Sequence, residues 1–275
     1  MQNTINTLCT WLRTISLADL ATTASLVFVA WQTILLRKTY QYNCDWQEKE
    51  KAAELALMYK DEILPGVSYV SSILKANGIM DILGNIHRDN IDQFNQTELF
   101  RLTNQNIKEN IEKKENSFDT IDTFLRIRSQ FGQIYSKKLH NIDPLLITKW
   151  YGVKNGKKDK DGKAIVMTDD EKRKLLKALK FEYTTIVSHT LNSLECFSMN
   201  FVSGIADDAV VFQSLHQTYL NVVQLLYYNI AIKNVHEKDK YYTNITELYK
   251  KWREKDEKNE RMISDAIMKT KPVRK

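Results

Sequence analysis

An all-α fold is the class that the sequence predicts, on three observations. The 275 residues include only eight glycines and three prolines, too little turn chemistry for a sheet-rich protein. Apolar residues recur at three- and four-residue spacing along most of the chain. "TDDE", Thr168 to Glu171, places a threonine three residues before a glutamate, the pattern in which the two side chains satisfy each other's unpaired backbone donors at a helix start. The full expectation is an N-terminal transmembrane helix followed by a cytoplasmic multi-helix bundle, with room for one short β-hairpin near residues 150–166.

The N-terminal expectation rests on "ISLADLATTASLVFVAWQTILLRK", Ile15 to Lys38, which carries one charge, Asp19, before Arg37. Its length meets the roughly 20 residues needed to span ~30 Å of hydrocarbon. Residues 1–14 form a short lead-in and 15–38 the span. Leu26, Val27, Phe28 and Val29 make its apolar centre, and Trp31, Arg37 and Lys38 anchor its far end. An amphipathic or buried soluble helix is the competing reading. Ala21 and Ser25 form a small-xxx-small step that would allow a homo-oligomer. Arg13 precedes the run whereas Arg37, Lys38, Lys49 and Lys51 follow it, which places the rest of the chain in the cytoplasm by positive-inside counting. Three widely spaced cysteines, Cys9, Cys44 and Cys196, argue against a disulfide framework and agree with a reducing compartment.

Residues 39–268 read as the helical domain. Asp45 is expected to cap a helix carrying Ala52, Leu55, Ala56 and Tyr59, and Pro65-Gly66 to kink or break it. Further helices are expected from Thr97 and in "SFDTIDTFLRIRSQFGQIYSKKL". From Asn141 to Gly162, Asp143-Pro144, spaced glycines and a lysine cluster predict an exposed loop, with the basic part at 152–167. A long helix should follow Thr168 and end at Gly204. "ADDAVVFQSLHQTYLNVVQLLYYNIAI", apolar on nearly all sides, should be the most buried helix, and a charged helix with a stripe of Ile245, Leu248, Trp252 and Ile263 should come last, before a loose basic tail at 269–275.

A net charge of +6 and a pI near 9.0 permit contact with anionic lipid or nucleic acid. Lys154, Lys157, Lys158, Lys160 and Lys163 are the candidate phosphate or lipid contacts, although they lack the interleaved aromatics that stack bases, and the lipid bilayer is the more expected partner. "IHRDN", His87 to Asn90, has the look of a kinase catalytic loop without its glycine-rich loop or Asp-Phe-Gly. Asp159, Asp161 and Gly162 match part of a calcium loop, but Lys157 and Thr168 stand at its first and last ligand positions. No cofactor and no metal site are expected.

His189, Asn192, Glu195 and Cys196 form a polar cluster expected to be buried in "LNSLECF" and its surroundings. A buried glutamate must be paired, hydrogen-bonded or protonated, so Glu195 is either a packing residue held by an Arg or Lys or, with His216, a catalytic candidate. The chain resembles a broad set of uncharacterised bacterial membrane proteins through "SLVFVAWQTILLRK", "DWQEKEKAAEL" and "LNSLECFSMNFVSGIADDAVV". That resemblance implies an inner-membrane location, with Asn192 and Glu195 as family-like positions, and no activity. The resulting expectation is a scaffold, sensor or membrane-acting effector, with phage defence or stress response as its setting and a protein partner not identifiable from sequence. Nucleic-acid binding and an enzyme of the Glu195/His216 region are the alternatives.

Overall fold

Thr168 starts the helix around which the others assemble. Its hydroxyl accepts from the Glu171 amide at 3.2 Å while the Glu171 carboxylate accepts from the Thr168 amide at 2.8 Å, the reciprocal cap expected from "TDDE". The computed structural model describes residues 17–76, 80, 118–135, 142–234 and 240–270. They form α1 (Leu17–Met58), a π-helical turn (Tyr59–Ile63), α2 (Leu64–Ala76), α3 (Phe118–Tyr135), α4 (Pro144–Lys154), α5 (Asp169–Val202), α6 (Asp208–Asn234) and α7 (Thr243–Thr270). The helix expected from Thr97 and the motif at His87 lie outside the described residues.

The chain divides into two units, residues 1–50 and 51–275. In the first, α1 runs on without a break at Asp45, so that residue caps nothing. Leu26, Val27, Phe28, Val29, Trp31, Ile34, Leu35 and Leu36 are each between 44% and 70% exposed. Among the described residues no helix is long and apolar enough to cross a membrane. This corrects the membrane span at 15–38 and, with it, the inner-membrane location. Gln32 and Thr33 interrupt the apolar run, Arg37 and Lys38 end it, and the same helix continues as a charged surface to Met58.

In the second unit the end of α1 buries Ala52 and Leu55, and the π-helical turn continues the face with Tyr59 and Ile63. The wide turn lies just before Pro65, which has no amide hydrogen to give and whose ring crowds the preceding turn. The backbone absorbs the proline by widening instead of kinking sharply or breaking. Gly66 then lets α2 approach α5: a Cβ there would stand 2.1 Å from the Thr190 hydroxyl oxygen.

Two apolar cores result. Tyr69 and Ile73 of α2 join Ile121, Phe124 and Leu125 of α3, Trp150 of α4 and Leu175 and Leu179 of α5 in one. Val70 and Leu74 join Leu194, Phe197, Leu226 and Trp252 in the other, built from α1, α2, α5, α6 and α7. Phe197 lies at its centre, with rings of Tyr59, Phe201, Tyr219 and Trp252 within 6.3 Å of it. Helix α6 is less enclosed than its composition predicts, because Val210, Gln213, Gln217 and Asn221 form an exposed stripe.

Two further expectations are corrected. The segment after Asn141 contains α4, since Asp143 accepts from the Leu145 amide at 2.9 Å and Pro144 occupies the first helical position, where its missing donor costs nothing. The hairpin near 150–166 has no strand among the described residues and reduces to one bridge between Lys158 and Ala164.

Gly66→Ala is expected to cost about 1–3 kcal/mol of stability by overpacking against Thr190. Urea denaturation checks this, with Gly66→Ala/Thr190→Ala losing less than the sum of its two single substitutions. Strict additivity would place the close approach elsewhere.

Candidate functional site: the polar seam at the start of α7

Glu195 lies on α5, half-buried, facing the first turn of α7. Its Oε1 accepts from the Asn244 amide at 3.2 Å and from Asn244 Nδ2 at 2.7 Å, and its Oε2 accepts from the Ile245 amide at 3.0 Å. A helix begins with amides that have no partner inside it and with the positive end of its dipole, and a carboxylate supplied by another helix answers both. The expected Arg or Lys partner is thus replaced by backbone and side-chain amides.

Beside this cap, Lys233 Nζ at the end of α6 donates to Ser188 Oγ at 3.1 Å and to the Tyr242 hydroxyl at 3.3 Å, with its charge 5.7 Å from the Tyr242 ring centre. The Tyr242 hydroxyl reaches Asn192 Oδ1 at 3.4 Å. Tyr242 has φ +63°, a conformation that a bulky residue adopts only when its surroundings hold it there. Asn234 closes the same seam, accepting from the Tyr241 amide at 2.6 Å and donating to the Tyr241 carbonyl at 3.1 Å. A serine in contact with a lysine is the pairing of some nucleophilic hydrolases. Here the ammonium donates to two hydroxyl oxygens at once, which fastens α6 and the entry to α7 onto α5.

The cluster predicted on α5 is therefore divided. His189 and Glu195 are half-buried, whereas Asn192 and Cys196 are exposed, so the four do not make a buried site. Helical spacing put them on one stretch, but the apolar neighbours of Glu195 turn away from it into the core. His216 stands apart. Its Nδ1 is 2.6 Å from the Phe212 carbonyl oxygen of its own helix, its Nε2 is 3.2 Å from Asp256 Oδ1 on α7, and Phe212 stacks on the ring at 4.5 Å. Glu195 meets α7 at Asn244 and His216 meets it at Asp256, positions separated by roughly 18 Å of helix. They are two separate ties, which removes the geometric basis for a joint catalytic site.

A second buried carboxylate lies further up α5. Glu182 is fully buried and accepts from Arg128 Nε of α3 at 3.0 and 3.2 Å. Nearby, burial first and then the Glu182 charge hold the Tyr69 phenol well above its ordinary range, so it keeps its proton. At the start of α5, hydrogen bonds from Lys149 and then from the Thr168 amide pull the half-buried Glu171 carboxyl below its ordinary value. Each carboxylate is engaged in holding two elements together.

In the basic loop, Lys154 pairs with Asp122 of α3 at 2.5 Å, while Lys157, Lys158, Lys160 and Lys163 are exposed. Asp159 Oδ1 accepts from the Asp161 and Lys163 amides at 2.9 and 2.8 Å, so the residue that matched a calcium ligand is spent on shaping the turn. Among the described residues no group of three or more His, Cys, Asp or Glu side chains could hold a metal ion. Ser188, Lys233 and Tyr242 are the seam residues that the sequence did not point to, and the φ of Tyr242 is visible only in the backbone. Comparison with family models, curated proteins and solved structures gave no match. The resemblance expected from its short motifs has no support among these comparisons.

Glu195→Gln keeps the shape of the cap but turns an NH2 group toward an amide donor. It is expected to cost about 1–3 kcal/mol of stability and to speed amide exchange in the first turn of α7. Unchanged stability with loss of cellular function would instead make Glu195 a chemical residue.

Proposed function

We propose that this protein works by binding, as a helical interaction module whose contact element is the exposed apolar stretch of α1. The observation that carries the reading is the exposure of Leu26 to Val29. Four consecutive helical positions step by about 100° each and so point to every side of the helix. A helix that is apolar all round belongs inside something, and an exposed apolar patch of this kind marks an interaction site. The scaffold or sensor role expected from the sequence agrees with it.

The rest of the molecule supports the same reading. Its buried and half-buried polar side chains join helices: Arg128 to Glu182, Glu195 to Asn244, His216 to Asp256 and Ser198 to Tyr219 at 2.7 Å. Such ties make a stiff body on which an exposed helix is carried as the adhesive element.

The test is chemical cross-linking of the full chain in the cells that express it, beside a variant carrying Leu26→Gln, Val29→Gln and Leu36→Gln. The full chain should be recovered in a complex of defined mass and the variant at the single-chain mass of 32.2 kDa, with an unchanged melting temperature. A wild-type chain recovered alone, or a variant that melts earlier, contradicts the assignment.

A further inference from the structure

The positive charge of the protein is gathered in one part of it. Residues 149–181, from α4 through the basic loop into α5, contain eleven Lys and Arg against five Asp and Glu, so this stretch carries the whole net charge of +6 and the remaining residues balance. Ion pairs take up part of the cluster: Lys149, Lys154, Lys172 and Lys174 meet Glu171, Asp122, Asp169 and Asp170. Lys157, Lys158, Lys160 and Lys163 of the loop, with Arg173 and Lys177 of α5, are exposed and have no carboxylate partner among the described residues. Their field adds up over a small area, which attracts a polyanion more than any single ion.

The loop that holds four of these cations has a defined shape. The Lys157 amide donates to the Gly152 carbonyl at 2.9 Å, the Ile165 amide to the Lys157 carbonyl at 3.1 Å and the Asp159 amide to the Lys163 carbonyl at 2.8 Å. Ile165 packs over Gly152, where a Cβ would come within 2.9 Å of it, and Met167 enters the core. Asp159, the acid between the lysines, is occupied by the Asp161 and Lys163 amides. Like charges are thus fixed near one another, and a chain of phosphates would relieve their repulsion. The five residues from Lys163 to Thr168 span at most about 18 Å, so the loop stays beside the first turns of α5.

The loop itself offers no aromatic ring for stacking, but α5 does. Arg173, Lys177 and Phe181 follow one another at four-residue spacing and so lie along one stripe of the helix, each about 6 Å beyond the last. Phe181 is 59% exposed. Lys174, Lys177 and Thr184 surround it on the same face, so it stands as a ring among polar groups and not within the continuous apolar face that enters a bilayer. We propose that this surface binds single-stranded nucleic acid, the loop lysines with Arg173 and Lys177 taking phosphates and the Phe181 ring taking a base. A row of cations with an aromatic platform is the arrangement that holds single strands with little regard to sequence. The inference goes beyond the role assigned to α1 and uses none of its residues.

Fluorescence anisotropy of the purified full chain with a labelled oligouridylate of about 20 nucleotides tests this. Affinity should fall with salt at a log–log slope of about −4, close to 0.7 for each of the six cations, or roughly 300-fold between about 50 and 200 mM. Lys157→Gln/Lys158→Gln/Lys160→Gln/Lys163→Gln should reduce the slope to about −1.4, and Arg173→Gln/Lys177→Gln, on a different element, to about −3. Phe181→Ala should weaken binding about 5- to 150-fold at unchanged slope, and should leave unchanged the affinity for an abasic oligomer, which offers phosphates without bases. All three variants change exposed side chains and should keep the wild-type melting temperature. No binding at about 50 mM salt, a slope that neither set of substitutions moves, or a Phe181→Ala variant that binds as tightly as wild type overturns the proposal. So does equal or tighter binding of a duplex, or binding to vesicles containing phosphatidylserine with none to the oligouridylate. Each of these results leaves the interaction assigned to α1 standing, because the residues are separate.

Discussion

A 34-residue helix is about 50 Å long, more than one small core covers, and α5 meets that constraint by serving two. Its first half gives Leu175, Leu176, Leu179 and Ile186 to one core, and its second half gives Val187, Leu191, Leu194, Phe197 and Phe201 to the other. The change of side falls between Ile186 and Val187, flanked by the Glu182–Arg128 pair and the Gly66–Thr190 approach. Helix α2 lies against the same junction and contributes to both cores, Tyr69 and Ile73 to one and Val67, Val70 and Leu74 to the other. The two cores are thereby parts of a single packed body.

The polar groups are arranged to respect that packing. A fully buried carboxylate such as Glu182 is stabilised by the Arg128 guanidinium that meets it, and removing Arg128 alone would leave a buried charge without that partner, at a cost of about 3–5 kcal/mol. Glu195 does for α7 what Thr168 does for α5: each supplies acceptors to amides that a helix start leaves without partners. Thr168 acts within its own helix, whereas Glu195 reaches across to another, which fixes both the position of α7 and its starting residue. The +63° φ of Tyr242 belongs to the same arrangement, because the chain must turn abruptly to bring Asn244 and Ile245 over the carboxylate.

Local features were the legible ones. The cap at Thr168, the stop at Gly204 with φ +72°, and the buried stripe of Ile245, Leu248 and Trp252 follow from neighbouring residues and were all foreseeable. Ile263, the fourth member of that stripe, is 60% exposed, since the helix continues past the core that covers its first half. Helix α4 was missed because Asp-Pro opens helices as well as turns, and local sequence does not separate the two. The ties that decide the tertiary arrangement join residues 54 positions apart in Arg128–Glu182 and 45 apart in Ser188–Lys233, where no periodicity points. The apolar run before Arg37 was legible as a helix; its environment was not, since hydropathy alone treats lipid and protein alike.

The claim on which the account turns is that α5 binds two cores into one cooperative body. Native-state hydrogen exchange of the α5 amides, followed with increasing denaturant, tests it most directly. Amides around Leu179 and amides around Leu194 should converge on one opening free energy equal to that of global unfolding. Two separate plateaus, with one half of α5 opening while the other stays protected, would show two independent cores and contradict the account.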